Sequence, residues 1–379
     1  MAEASITYFP VGNGDTGLVR LKDGTSILID ACISADDEEK YDVHCHLIGE
    51  LRSEKGVPHL DAFILTHPDQ DHIRGWSTCF YSGDPGKYSE RDKKEGRILV
   101  DEVWFAPRIF APHEKELCEE ARDFRKEVNR RVELFRKGSQ ASNLPGNRFR
   151  VVGYSDNPDL KGLDAFLIIP GNVISKINAS VKNDFEIFVH APTKKDSDAK
   201  WGERNDTSIV LQLRFKVGND SRAALAMFGG DAQCGLWSNI IEKSKTPDLE
   251  FDVFLAPHHC SWTFFSEEPS EDENPDEVIL NFLSSKKRKG AIVVCSCKPI
   301  KDDDDNPPHY IAYEEYKEIF GDKNVLCTME EPNEENPEPL YFTISANGPV
   351  KDDDPKKGQV VSSAALSATV ATPRTYGGE

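Results

Sequence analysis

A chain of 379 residues exceeds one average domain at ~150 residues each, leaving either two or three units or one large α/β domain with insertions. With 38% hydrophobic and 30% charged residues it can build a core under a polar fringe, and no run approaches the ~18 uninterrupted apolar residues of a membrane span. The net charge of −20 argues against a polyanionic partner unless the acids are confined to particular segments.

The first stretch, MAEASITYFP, lacks the basic start and long apolar middle of a secretion signal, so a soluble, cytoplasmic protein is expected. Short strands follow at Ile6 to Phe9, Gly17 to Leu21 and Ser26 to Ala31, separated by glycine turns. Gly12-Asn13-Gly14-Asp15 lacks the third glycine of a dinucleotide fingerprint and the lysine of a phosphate loop, and reads as a turn. A helix is predicted around Val43 to Lys55, then a buried strand from Asp61 to Thr66. Between Glu114 and Lys137, Leu117, Ala121, Phe124, Val128, Val132 and Phe135 recur at helical spacing. The polar side of that helix carries Arg122, Arg125, Lys126, Arg130, Arg131, Arg136 and Lys137; a solvated face is the first reading and a phosphate-contacting one the second.

Strands then dominate: Phe185 to Val189, Ser208 to Phe215, Ala223 to Phe228, Phe251 to Leu255, Ala291 to Cys295 and Leu340 to Ile344. Two sheets with helices outside them are expected. The acids gather in Glu267 to Glu277, Asp302 to Asp305 and Glu330 to Glu338; with those sixteen set aside the body stands at −4, so a nucleic-acid substrate stays open. The nine cysteines, an odd number without a close framework, fit reduced thiols in a cytoplasm. Residues 1–347 form the expected folded domain, with a helical insertion at about 107–145, and 348–379, small and polar, form an expected disordered tail.

Three strand ends carry metal-capable groups. His67-Pro-Asp69-Gln-Asp71-His72 follows one strand, Gly229-Gly230-Asp231 another, and Ala256-Pro257-His258-His259 a third, while Asn306-Pro-Pro-His309 comes later. Divalent ions need several anionic or imidazole donors converging from one side, and rigid strands ending in tight loops supply that geometry.

The ordered set Val-Gly-Asn-Gly-Asp, Ser-Ile-Leu-Ile-Asp-Ala, Leu-Thr-His-Pro-Asp-Gln-Asp-His-Ile-Arg-Gly, Asn-Asp-Thr-Ser-Ile-Val-Leu, Gly-Gly-Asp and Ala-Pro-His-His resembles the metallo-β-lactamase superfamily, and more narrowly the soluble hydrolase domain of ComEC-type DNA-uptake proteins. The resemblance runs discontinuously from about Ile6 to Ile344. It implies an α/β fold, a four-layer αββα sandwich with a dinuclear metal site along one edge. It also implies that His67 and Asp69 hold one metal, that Asp71 and His72 hold the other, that Asp231 bridges both and that His258 or His259 completes a site. Asp71 and His309 are the implied catalytic residues, His309 as phosphate stabiliser or acid, with Asn205, Lys298 and His309 as candidate substrate-binding residues. Asp69 hardens the site, so Mn²⁺ competes with the first-choice Zn²⁺ for the two positions. Cys260 stands where the subgroup has glycine, and packs or ligates, packing being preferred. The membrane channel of ComEC proteins has no counterpart here.

Two bridged cations lower a water's pKa toward neutrality and neutralise a phosphorane-like transition state, so a phosphodiesterase or nuclease is the leading expectation. One alternative is a small-substrate metallohydrolase acting on a phosphoester, amide or thioester. Another is a metal-stabilised interaction module that recruits a protein partner through the acidic loops or tail.

Overall fold

The computed structural model describes residues 3–34, 40–110, 117–195, 204–268 and 274–352. Nine strands of an eleven-stranded sheet run in the order Leu167–Ile168, Arg148–Val152, Ile98–Phe105, Val57–Ile64, Ser26–Ile29, Gly17–Arg20, Ser5–Tyr8, Leu340–Ser345, Gly348–Asp352, and Arg52–Glu54 and Phe80–Tyr81 pair off this path with Val57–Ile64 and Ile98–Phe105. A seven-stranded sheet runs Val173–Ile174, Phe185–Ala191, Val210–Val217, Asp220–Phe228, Phe251–Leu255, Lys287–Cys295, Val325–Cys327. The chain's last strands therefore return to the first sheet, beside Ser5–Tyr8.

Alternation along the strands builds the layers, because successive side chains leave a strand on opposite faces. Ile27 and Ile29 join Val253 and Leu255 in the core between the sheets. Leu28, facing the other way, packs under the helices Val43–Glu50 and Glu119–Arg136. Phe254 likewise packs outward, under Cys234–Lys243, Glu277–Lys286 and Tyr310–Phe320. One core between two sheets and one on each outer face make the four-layer αββα sandwich.

Several sequence expectations are corrected. The helix beginning at Val43 ends at Glu50, because Lys55 and Gly56 take positive φ and turn Arg52–Glu54 back onto Val57–Ile64 as a hairpin. Residues 348–352, assigned to a disordered tail, form a strand that pairs with Leu340–Ser345; residues 353–379 lie outside the described residues. The helix Glu119–Arg136 lies between the parallel neighbours Ile98–Phe105 and Arg148–Val152, and Phe124, Val128 and Val132 bury its apolar stripe. Its basic face is largely spent internally. Arg131 is 1% exposed and donates to Glu127 and to the carbonyls of Val100 and Arg148, Arg130 pairs with Glu127, and Lys126 pairs with Asp123. Arg131 thus belongs to the core and fits neither the solvated-face nor the phosphate-contacting reading.

One buried group sets an acid limit far from the strand-end clusters. His190, 5% exposed, meets Ser244 Oγ at 3.1 Å through Nδ1 and leaves Nε2 without a partner. Burial, reinforced by the Arg214 charge, pulls its pKa down from 6.5 to about 3. The unfolded chain therefore binds a proton between those values that the folded chain refuses, so its contribution to stability is full above pH ~6.5 and is lost as the pH falls toward ~3. Denaturant unfolding at about pH 7 and pH 4.5 should show His190→Asn losing about 2–3 kcal/mol less than the wild type over that interval.

Candidate metal centre

Every prospective ligand is delivered by the C-terminal end of a strand. Val57–Ile64, parallel to Ser26–Ile29, runs into His67 to His72, and Asp30 follows directly on Ser26–Ile29. Asp220–Phe228, Phe251–Leu255 and Lys287–Cys295 lie parallel at their ends and run into Asp231, His258 with His259, and Ser296. The pocket sits where the two sheets share an edge.

Asp231, 3% exposed, divides it. Its Oδ1 lies 3.0 Å from Nε2 of His72 and 3.4 Å from Nε2 of His259, and Asp71 Oδ2 approaches the same His259 nitrogen at 3.3 Å. Its Oδ2 lies 3.2 Å from Nε2 of His67 and 3.6 Å from Nε2 of His258. One ligand atom each from Asp71, His72, Asp231 and His259 falls within a 4.8 Å group; Asp69, half-buried at the N-cap of Gln70–Ile73, lies outside that group. Both members of the His258/His259 pair thus reach Asp231, on opposite oxygens.

The hydrogen bonds behind these rings decide which nitrogen carries a lone pair. Asp30 Oδ2 accepts from Nδ1 of His72 at 2.8 Å, and the Ser296 carbonyl accepts from Nδ1 of His259 at 3.1 Å. Thr66 spends its only hydroxyl proton on Asp30, so at 3.1 Å it can only accept from Nδ1 of His67. Ser261 donates to Asn306 and Thr263 in turn to Ser261, leaving Thr263 Oγ1 to accept from Nδ1 of His258 at 2.9 Å. All four imidazoles, when neutral, therefore point an Nε2 lone pair at Asp231. The Nε2 atoms of His72 and His259 face each other at 3.2 Å, which demands a cation between them. His67 Nε2 and Asp231 Oδ1 have no hydrogen-bond partner although buried. This donor set fits divalent metal, with the oriented outer partners such sites use.

The electrostatics say the same. Burial pulls the imidazolium of His259 down, but Asp231 and Asp15 outweigh it and push it up to about 10; for His72, Asp231 and Asp30 outweigh burial in the same way. Burial raises the Asp231 and Asp71 carboxyls, yet the surrounding imidazolium charge holds both well below the usual carboxylate range. A proton on these rings is the monovalent substitute for a metal cation.

Local backbone strain makes the convergence possible. His258, His259 and Cys260 have φ of 50°, 53° and 66°, three successive left-handed residues at a cost of about 1–2 kcal/mol each. Gly230, at φ +50°, brings its backbone against Thr66, and a Cβ there would lie 2.7 Å from Thr66 Oγ1, breaking the Thr66–Asp30–His72 chain.

The remaining sequence candidates are arranged differently. His309 donates its backbone N–H to the Cys260 carbonyl, its ring lies 5.6 Å from that of Trp262, and its buried Nδ1 has no partner. Burial lowers its pKa, favouring the neutral ring. Asn205 lies in the turn before Ile209, whose N–H bonds to the Thr66 carbonyl, while Lys298 is exposed and its N–H bonds to Asn13 Oδ1. Among the described residues no hydrogen bond or ion pair joins either side chain to the ligand cluster. Cys260 packs in the outer core of the second sheet.

Sequence reasoning missed Asp15. The Gly12 to Asp15 segment is a turn, but it clamps the centre: Asp15 N–H donates to the Asp71 carbonyl, Ser296 Oγ donates to the Gly14 carbonyl, and Asp15 Oδ1 lies 3.4 Å from Nδ1 of His259. Only glycine fits at 14, where a Cβ would stand 2.6 Å from Cys32 Sγ and 2.8 Å from the Asp71 carbonyl. The signal available was a carboxylate placed directly after that glycine, ahead of a buried strand.

Residues 9–158 match the family model of the metallo-beta-lactamase superfamily. The matched segment includes Asp15, Asp30 and the His67 to His72 loop, and Asp231, His258 and His259 lie beyond it. A crystal structure of a Parabacteroides distasonis protein named as a metal-dependent hydrolase overlaps at TM-score 0.33 and 11% identity, over 86% of this chain and 92% of that one. That overlap is too loose to carry fold or function across. No curated protein sequence matches the chain. No helix among the described residues is long and apolar enough to cross a membrane.

Proposed function

We propose that the protein is a metal-dependent hydrolase of the ComEC-like type, cleaving phosphodiesters at a centre for two divalent ions, Zn²⁺ first and Mn²⁺ second. The observation that carries the reading is Asp231, each of whose oxygens faces two Nε2 lone pairs. Charge supports the count: Asp15, Asp30, Asp71 and Asp231 bring −4 into a site of otherwise neutral imidazoles, which two divalent cations balance. When bound, such ions supply Lewis acidity and bring a water's pKa near neutrality. Asp71, with 35% of its side chain exposed, is the ligand that faces the approaching substrate, and its depressed pKa keeps it an acceptor. His309, kept neutral by burial, serves as a hydrogen-bond donor toward the leaving group once its ring is engaged. None of the nine cysteines is joined in a disulfide, in keeping with a reducing cytoplasm.

The small-substrate reading draws on one feature. Asp302 to Asp305 are exposed and lead directly into Asn306, whose side chain accepts from Ser261 beside the ligand turn, so acids border the site on that side. Residues 269–273 of the other acidic loop lie outside the described residues.

The test is a panel of DNA, RNA, cyclic nucleotides and bis(p-nitrophenyl) phosphate with Zn²⁺- or Mn²⁺-loaded protein. Asp71→Asn should lower kcat by roughly 10³-fold with an unchanged circular dichroism spectrum. No cleavage of any of these by the loaded wild type would refute the proposal.

A further inference from the structure

A pocket of about 530 Å³ opens beside the ligand loop, walled by Gln70, Arg74 and Thr78 on one side and by Cys118, Glu119 and Glu120 on the other. The pocket and the metal centre share one short segment: Gln70 stands between Asp69 and Asp71 in the chain and Arg74 lies two residues past His72, although no prospective ligand itself lines the pocket. Arg74 is exposed, and its guanidinium charge acts on the Glu120 carboxylate in the same pocket, although no hydrogen bond or close ion pair holds it among the described residues. Several other arginines are consumed by carboxylates: Arg20 by Glu50, Arg97 by Glu95, Arg130 and Arg131 by Glu127, Arg288 by Asp252. A guanidinium whose N–H donors are not taken up by a hydrogen bond, within a few residues of four prospective ligands, can present its fork to a phosphate.

The acids opposite set the size of what enters. Glu120 is committed, its carboxylate accepting the Gly75 N–H at 2.7 Å, but Glu119 at the far wall is exposed and would repel a second phosphate. The volume lies within the range of small-molecule sites, roughly 300–1,000 Å³, and suits one nucleotide. We propose that this pocket is a one-nucleotide subsite, in which Arg74 binds the phosphate next along from the bond being cleaved and the acidic wall disfavours an extended strand. The assignment rests on the phosphodiesterase reading for its substrate class.

The experiment separates the two ideas by pairing a binding measurement with a kinetic one on the full-length protein. Thymidine 3′,5′-bisphosphate is titrated calorimetrically into wild type and Arg74→Ala, and the dinucleotide TpT is compared as substrate with pTpT and TpTp. Arg74→Ala should weaken bisphosphate binding about tenfold, as expected for loss of a charge-assisted hydrogen bond. In the wild type one of the two phosphorylated dinucleotides should exceed TpT in kcat/KM by about the same factor, and the preference should vanish in Arg74→Ala. Arg74-dependent bisphosphate binding without cleavage of any dinucleotide would support the subsite and defeat the phosphodiesterase reading. Equal bisphosphate affinity in both proteins, or a phosphate preference that survives in Arg74→Ala, would overturn the subsite even if cleavage is brisk.

Discussion

Asp231→Asn is expected to abolish high-affinity metal binding and to lower hydrolysis by at least ~10³-fold, the largest effect of any single substitution in this molecule. The carboxylate is the group that all four imidazoles face, and an amide of the same shape offers one uncharged acceptor oxygen and an NH₂ that cannot ligate and would donate to an imidazole lone pair, tying it up. The metal-free protein should suffer too. Asp231 is the main reason the His259 imidazolium stays protonated against burial, up to about pH 10. A folded-state pKa raised from 6.5 to about 10 contributes stability that is complete below pH ~6.5 and disappears as the pH rises through ~10. Removing one partner of such a buried pair costs about 3–5 kcal/mol. The stability difference between metal-free wild type and Asp231→Asn should therefore be largest near pH 6 and shrink toward pH 10. Chemical denaturation in the presence of chelator, beside elemental analysis of the untreated proteins, measures both effects. A variant that kept two metals per chain, or a stability gap that widened with pH, would contradict this account.

How far the sequence discloses this centre depends on how local each signal is. His67 to His72, Asp231 and His258/His259 each follow closely on a continuous apolar run, so their placement at strand ends was legible from the strands, whereas their meeting at one edge of the two sheets came from the family resemblance. The groups that aim them were not legible. Asp30 acts on His72 across 42 positions, Ser296 on His259 across 37 and Asn306 on Ser261 across 45, and no spacing rule links such pairs. Other misses arose because burial overrode composition. Ile98–Phe105 is absent from the expected strands; it carries Asp101 and Glu102, yet every residue in it is buried, Asp101 being held by Arg52, His59 and Asn178, and Glu102 by Trp104. Arg131 read as a surface cation for the same reason: an arginine bonded to Glu127 and two carbonyls can lie in a core where a lone one cannot.

Asp15→Asn should weaken metal affinity by about 10- to 100-fold while leaving the fold intact, because it removes a charge and keeps the shape. Asp15 is 2% exposed, and its Oδ1 has no hydrogen-bond partner although Nδ1 of His259 lies 3.4 Å away and Nδ1 of His72 is 4.0 Å from its other oxygen. A buried carboxylate left short of hydrogen bonds is expensive unless a cation compensates it. Behind two ligand imidazoles its negative charge strengthens them as donors, the role that carboxylates behind metal-bound histidines perform. The backbone N–H that ties residue 15 to the Asp71 carbonyl survives the substitution, so a loss of affinity would report the charge and not the clamp. Competition with a chelator of known affinity measures the metal constant, and the ring protons of His259 in the metal-free protein give a second readout. Their titration midpoint should drop below the wild-type value of about 10, since Asp15 stands next after Asp231 among the charges that raise it. An affinity within twofold of wild type would make Asp15 a space-filling residue, and the metal centre would then be neutralised by the remaining carboxylates alone.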